Sequence, residues 1–497
     1  MKSKMAKKVI AASLATVMTV GLAACGNEPA STNNGNESSD QPSNVEQSTP
    51  EESSNEESTP EESSEEEEVS SYTVLTDENG NVYDLGGMEI IVRDWWSSSE
   101  PAEPQNDYEE ARQDYRDWIQ ETYNFTIKEQ AISDWGSAPQ DFVDYATTGG
   151  DENYVFVVRP DAAVTSAMFQ GLMYDLNTLD ALDFSEEKWQ ASGMHKLMSF
   201  NGSIYGMYAV DNEPRGGVYF NRRLLEEAGI NPDDIYTWQE NGEWTWDKFT
   251  EVLATVQRDT DADGVIDVAG VTANDADIYM EAVWSNNGEF VGQEDGKFVY
   301  KLESDETLEA LNWAWQMIKD YRQVDPEGSE WDYYKSAFIN GEVAFCVEQH
   351  YCAQPGNGQW ATMEDEYGWV CFPKGPKADD YTNLYENNIY VIPACYDAEK
   401  AEKIAFAYNL YTEPVPGYED YAAWKASYMN YGYDEKGLDL TDARLVENGM
   451  VTYHDLVGFD LSIKSDMLYS LTSSTVSEKV EEVREKWNTA IEQANNR

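Results

Sequence analysis

The run Asp259-Thr260-Asp261-Ala262-Asp263-Gly264-Val265-Ile266-Asp267 gathers four acids at alternating positions around one glycine. Asp259, Asp261 and Asp263 match the first, third and fifth positions of a calcium loop; Gly264 permits the turn, Val265 offers its carbonyl, and Asp267 is the ninth-position acid. Carboxylates this close repel one another, and a cation that takes ~6 to 8 hard oxygens relieves the repulsion. Gly270 stands at the twelfth position, where a bidentate glutamate belongs, so another carboxylate must close the sphere. The pattern predicts a structural Ca2+, with a solvated acidic turn as the other reading.

Cys25 is the second chemically pointed position. It ends Leu22-Ala23-Ala24-Cys25, after a start carrying Lys2, Lys4, Lys7 and Lys8 and an almost wholly apolar run over 9–24. That run is the length of a signal-peptide core, ~7 to 15 residues, and is short for a membrane span of ~20. The cleavage pattern and the thiol together read as a lipobox, so residues 1–24 are expected to be a lipoprotein signal peptide. Cys25 would become the first mature residue, lipidated and palmitate-bearing, because its thiol accepts a diacylglycerol and each buried methylene adds ~0.8 kcal/mol of membrane affinity. Residues 27–71, rich in Ser and Glu and without an aromatic side chain, cannot bury a core. Residues 25–71 are therefore expected to be a disordered acidic tether.

The net charge of −62 argues against nucleic acid and against anionic lipid surfaces, since both demand clustered Lys and Arg. Besides Cys25 the chain holds Cys346, Cys352, Cys371 and Cys395, too few for a disulfide framework and wrongly spaced for a zinc ribbon. Buried free thiols are expected, a disulfide being the alternative.

The elements that must position any site alternate between strand and helix. Met88 to Val92 reads as a strand, Tyr108 to Ile119 as a helix, Phe125 to Ile132 as a strand, Gln140 to Tyr145 as a helix and Tyr154 to Val158 as an apolar strand. This repetition predicts an α/β domain whose parallel strands present ligand-binding loops at their carboxyl ends. Farther on, Gly202 to Tyr208 reads as a turn and strand and Gly217 to Asn221 as a strand. A helix through Leu224 stops at Gly229, Leu308 to Ile318 gives one helix face, and Val476 to Ile491 gives the last.

Six segments then carry a resemblance. Asn201-Gly202-Ser203-Ile204-Tyr205-Gly206-Met207-Tyr208 leads to Val218-Tyr219-Phe220-Asn221-Arg222-Arg223-Leu224-Leu225-Glu226-Glu227-Ala228-Gly229-Ile230. Thr245-Trp246-Asp247-Lys248-Phe249 and Ser285-Asn286-Asn287-Gly288 follow, then Phe338-Ile339-Asn340-Gly341-Glu342-Val343-Ala344-Phe345 and Trp369-Val370-Cys371-Phe372-Pro373-Lys374-Gly375-Pro376. In this order they resemble the extracellular solute-binding proteins of ABC transporters, family 1, especially the carbohydrate-binding lipoproteins. Phe345 stands where that family usually has methionine. The resemblance implies a periplasmic-binding-protein-like α/β fold of two lobes joined by hinge strands with a ligand cleft between them. Lobe 1 would comprise 72–210 plus 373–412, and lobe 2 would comprise 211–372 plus 413–497.

A sugar presents apolar C–H faces and a rim of hydroxyls, so its site calls for flat aromatics beside carboxylates, amides or Arg. The candidates are Asp94, Trp95 and Trp96 after the first strand, Arg159 and Asp161 after the Tyr154 to Val158 strand, Glu213 and Arg215 past the first crossing, and Trp284. Glu348, His350, Tyr351 and Trp360 lie beyond the Gly341-Glu342-Val343-Ala344 strand, and Asn387 precedes another. The expected function is capture of a carbohydrate, an oligosaccharide, by a monomer lipid-anchored on the outer face of the cell membrane and serving the transmembrane subunits of an ABC permease. The same fold could instead bind a polyamine, a peptide or another solute. A surface glycoside hydrolase is the enzymatic alternative, although no Gly-x-Ser-x-Gly, His-Glu-x-x-His or phosphate-binding loop is present, and no enzyme is expected.

Overall fold

A computed structural model describes residues 72–496 apart from 99–102, 105, 160–161, 191–194, 196, 201, 210–214, 357, 385–387, 420–421 and 458–460. The expected signal peptide, Cys25 and the tether lie outside the described residues, as do Asp161, Glu213 and Asn387. Residues 72–496 belong to one compact unit.

The first sheet runs in the order Ile389–Val391, Asn153–Val158, Met88–Asp94, Phe125–Ala131. Met88–Asp94 pairs in parallel with both its neighbours, and only Ile389–Val391 is antiparallel. The apolar run at Val155 to Val158 has a simple cause. Side chains alternate across a strand, so Val155 and Val157 enter one core with Ile90, Val92, Ile119 and Tyr123, while Phe156 and Val158 enter another with Phe142, Val164 and Met168. Helices Asp107–Tyr123 and Ala138–Thr148 supply those covers. Asn106 caps the first of them by accepting from the Glu109 amide at 2.9 Å, and Asn124 ends it in the left-handed conformation.

The second sheet runs Tyr367–Val370, Gly216–Asn221, Val343–Gln349, Ala269–Thr272. Gly216–Asn221 lies antiparallel to both neighbours, whereas Val343–Gln349 and Ala269–Thr272 are parallel. Around it pack helices Trp246–Val256, Asp275–Trp284, Asp305–Tyr321 and Val476–Asn495. Thr245 caps Trp246–Val256, and Thr475 with Glu478 forms a capping box at the last helix.

Three expectations need correction. Gly202 to Tyr208 contributes only a two-residue hairpin strand and an isolated bridge from Met207 to Tyr390. Phe338 and Ile339 end the helix Tyr333–Ile339, and the strand starts at Val343, after a turn in which Gly341 takes a positive φ. Cys346, Cys352 and Cys371 are buried free thiols, but Cys395 is exposed in a turn rather than in a buried strand.

The second core encloses a polar network. The Trp369 ring lies 4.4 Å from that of Tyr219, and its indole N–H donates to Asp442 at 2.8 Å. Tyr433 donates its hydroxyl to the other Asp442 oxygen, and His350 Nε2 meets the same hydroxyl at 2.7 Å. Asp442 is fully buried, so removing its carboxylate strands two donors where water cannot replace it. Asp442→Ala should cost about 2 to 4 kcal/mol in urea unfolding. A loss below about 0.5 kcal/mol, typical of surface substitutions, would mean that the network does not hold this lobe together.

Candidate functional site in the cleft

The carboxyl ends of the parallel strands in the first sheet and the Gln349 end of the second sheet contribute to one cavity of about 300 Å³. Trp135 and Arg159 come from the loops after Phe125–Ala131 and Asn153–Val158. Arg215 and Gly216 open a strand of the second sheet, and Val347, Glu348 and Gln349 end its neighbour; the register pairs Gly216 with Gln349 and Gly217 with Glu348. The helix after Ala269–Thr272 contributes Asp277, Met280, Glu281 and Trp284, which share one face because residues three and four apart on a helix are neighbours. Leu384, His454, Asp455, Ser462 and Lys464 complete the wall.

The charges are largely neutralised in place. Asp277 pairs with Lys464 at 2.5 Å. Burial opposes the Lys464 ammonium, yet Asp277 outweighs it and raises the pKa. Glu348 accepts from the Tyr334 hydroxyl at 2.6 Å and from the Gln349 amide at 3.0 Å. Burial first, and the Asp277 charge second, push its carboxyl above the ordinary range. The Arg159 guanidinium lies 4.0 Å from the Trp135 ring centroid, a cation–π contact that holds an indole otherwise 58 % exposed. Trp284 is buried, and among the described residues its indole nitrogen has no hydrogen-bond partner. Glu281 is buried against Gly216, where a Cβ would collide with the carboxylate; only glycine fits that position.

Of the residues singled out in the sequence, Arg159, Arg215, Trp284 and Glu348 line this cavity. Asp94 does not. Its carboxylate accepts from the Trp96 and Ser97 amides at 3.2 and 3.1 Å and from the Ser97 hydroxyl, closing the turn after the strand. Trp95 packs on the first core, and Trp96 stands half exposed against it, ring centroids 5.0 Å apart. His350 is enclosed by the Asp442 network and stacks on Tyr431. Trp360 is core, 5.5 Å from Tyr219 and 5.1 Å from Phe338 between ring centroids, and Tyr351 is partly exposed on the turn after the strand. Among the described residues none of these six lines the cavity.

Sequence reasoning missed Trp135, Asp277, Glu281, Gln349, His454, Asp455, Ser462 and Lys464. One signal was available: Asp277, Glu281 and Trp284 recur at helical spacing just after a strand. Trp135 also follows a strand, as Trp95 does. Nothing local marks Lys464 or Asp455, whose place depends on how the chain returns to the cleft.

The Asp259 to Asp267 loop lies outside the cleft. Oxygens of Asp259, Asp261 and Asp267 come within 4.8 Å of one another. Asp259 accepts from the Ala262 and Gly264 amides at 2.7 and 2.8 Å, with both residues at positive φ. Asp267 accepts from the Thr260 hydroxyl and, at 2.6 Å, from the Thr260 amide, which together lower its pKa. Gly270, the twelfth position, is buried in the Ala269–Thr272 strand, close to Leu253 and Tyr321, so a donor at that position cannot come from this segment.

No curated protein sequence matches the chain. The family model described as bacterial extracellular solute-binding protein matches residues 146–409. Solved structures share the fold at low identity. UgpB from Mycobacterium tuberculosis, in complex with glycerophosphocholine, is 17% identical with a TM-score of 0.56, covering 82% of this chain and 99% of that one. The cyclic alpha-maltosyl-1,6-maltose binding protein from Arthrobacter globiformis is 14% identical with a TM-score of 0.57, covering 82% of this chain and 100% of that one. Lmo0181 from Listeria monocytogenes, in complex with cycloalternan, is 16% identical with a TM-score of 0.52, covering 82% and 99%. A family model that spans more than half of the chain, carried on this α/β fold, establishes that the chain belongs to the bacterial extracellular solute-binding proteins.

Proposed function

We propose that this protein captures a carbohydrate in the cleft and delivers it to an ABC importer. The observation that carries the reading is the pairing of indoles with bonded polar groups around one cavity: Trp135 and Trp284 beside Asp277–Lys464, Glu348, Gln349 and Ser462. Indoles cover the C–H faces of a sugar, and the polar groups serve its hydroxyls. A polyamine would call for an excess of carboxylates, whereas Arg159, Arg215 and Lys464 stand here among the acids. The solved relatives that bind cyclic alpha-maltosyl-1,6-maltose and cycloalternan point the same way. A volume of about 300 Å³ lies at the lower end of small-molecule sites, so an oligosaccharide would extend past Trp135 into open cleft.

The acids in the cavity are also what a glycoside hydrolase would use, but this protein binds its ligand without turnover. Calorimetry against a neutral glycan panel that includes maltotetraose should give saturable binding and no product. Trp284→Ala and Trp135→Ala should each weaken it by ~1 to 3 kcal/mol, by analogy with aromatic stacking on other planar ligands. Unchanged affinity in both, or released reducing ends, would refute the assignment.

A structural Ca2+ in the Asp259 to Asp267 loop is the second part of the reading, supported by the gathered carboxylates of Asp259, Asp261 and Asp267 and limited by the missing twelfth-position donor. EGTA should lower the melting temperature of purified protein, and Asp259→Asn should abolish that shift. An identical melting curve with and without chelator means no bound cation.

Lipid anchoring through Cys25, with the acidic tether as spacer, is the third part. Among the described residues no helix is long and apolar enough to cross a membrane, so attachment would rest on the lipid. Cys25→Ser should move the protein from the membrane fraction to the medium; retention in the membrane would rule out that anchor.

A further inference from the structure

Among the described acids of the cavity, Glu281 is the one with a carboxylate oxygen that is both sealed and without a hydrogen-bond partner. It is 5 % exposed, and its Oε2 is sealed from solvent without a hydrogen-bond partner among the described residues. Glu348, at the end of the facing strand, has both oxygens bonded, and Asp277, one turn before Glu281 on the same helix, holds Lys464. Gly216 presses on the carboxyl from the second sheet. The other groups around the cavity are Arg215 before that sheet, His454 and Asp455 on a short turn, and Arg159 across the mouth. A carboxylate oxygen with neither water nor a donor is the arrangement that least tolerates ionisation.

Resting on the reading of this cavity as the ligand site, we infer that Glu281 lies in it as an uncharged carboxylic acid and selects an uncharged ligand, so that capture retains a proton and weakens in alkaline solution. Burial first, then the Asp277 charge, raise the Glu281 pKa to about 8, against the opposing pull of Arg215 and Lys464. A neutral glycan that fills the cavity displaces the remaining water and raises that pKa further. Binding then favours the protonated form, so affinity is full below about pH 8 and falls by up to tenfold per pH unit above it. An ammonium ligand has the opposite sign: it draws the proton off and binds more tightly as pH rises.

Two measurements test this. In the ligand-free protein labelled with carboxyl-13C glutamate, one resonance that is missing from Glu281→Gln should titrate near pH 8; a midpoint within about a unit of the ordinary value of ~4.3 overturns the inference whatever the ligand is. Calorimetry of maltotetraose, in buffers of different protonation enthalpy, should show proton uptake around pH 8 and affinity that falls between pH 7 and pH 9. The pH dependence should vanish in Glu281→Gln, whose amide keeps the shape and cannot titrate. Spermidine binding with proton release overturns the inference. If neither probe binds, the saccharide reading falls, and the 13C midpoint alone decides the charge state of Glu281.

Discussion

Strands that are apolar on both faces must be covered on both faces, and the rest of this molecule follows from that constraint. Val155 and Val157 feed one core and Phe156 and Val158 another, so helices occupy both sides of the first sheet. In the second sheet Val218, Tyr219 and Phe220 are all buried. Covered sheets leave their strand ends as the places where polar side chains reach solvent. Trp135 and Arg159 emerge at the carboxyl ends of one sheet, and Glu348 and Gln349 at the end of the other.

A chain of net charge −62 would by composition alone build an acidic cavity. It does not, because charges that line a partly dry cavity must be matched locally. Lys464 is spent on Asp277, Tyr334 on Glu348 and Arg159 on the Trp135 face. The acidic surplus stays where water screens it, on helix surfaces and in the Asp259 to Asp267 loop. Glu281 is the exception within the cavity, and burial rather than pairing sets its state.

Much of the fold was legible because each element signals itself over a few neighbouring residues. Helical spacing from Tyr108 to Ile119 located a helix, and short apolar runs located the strands around Ile90 and Phe156. Ser285 to Gly288 formed its turn, with Asn287 in the left-handed conformation. Four site candidates reached the cavity because they sit at strand ends or on the helix behind one: Arg159, Arg215, Trp284 and Glu348. Asp94, His350 and Trp360 had the same residue types and comparable positions. Their side chains satisfy a turn, a buried network and an aromatic core, and a residue's type does not reveal which way it faces.

By itself the sequence determined the alternating α/β elements, the burial of both sheet faces and the acidic loop around Gly264, all consequences of spacing along a few turns of chain. Only the tertiary structure decided the cavity. Its lining brings together Trp135, Arg215, Glu281, Gln349, Asp455 and Lys464, segments separated by up to hundreds of residues, so no local pattern encodes their meeting. The sealing of Glu281 against Gly216 is likewise a property of packing, because desolvation depends on what surrounds a carboxyl and not on the residue that carries it.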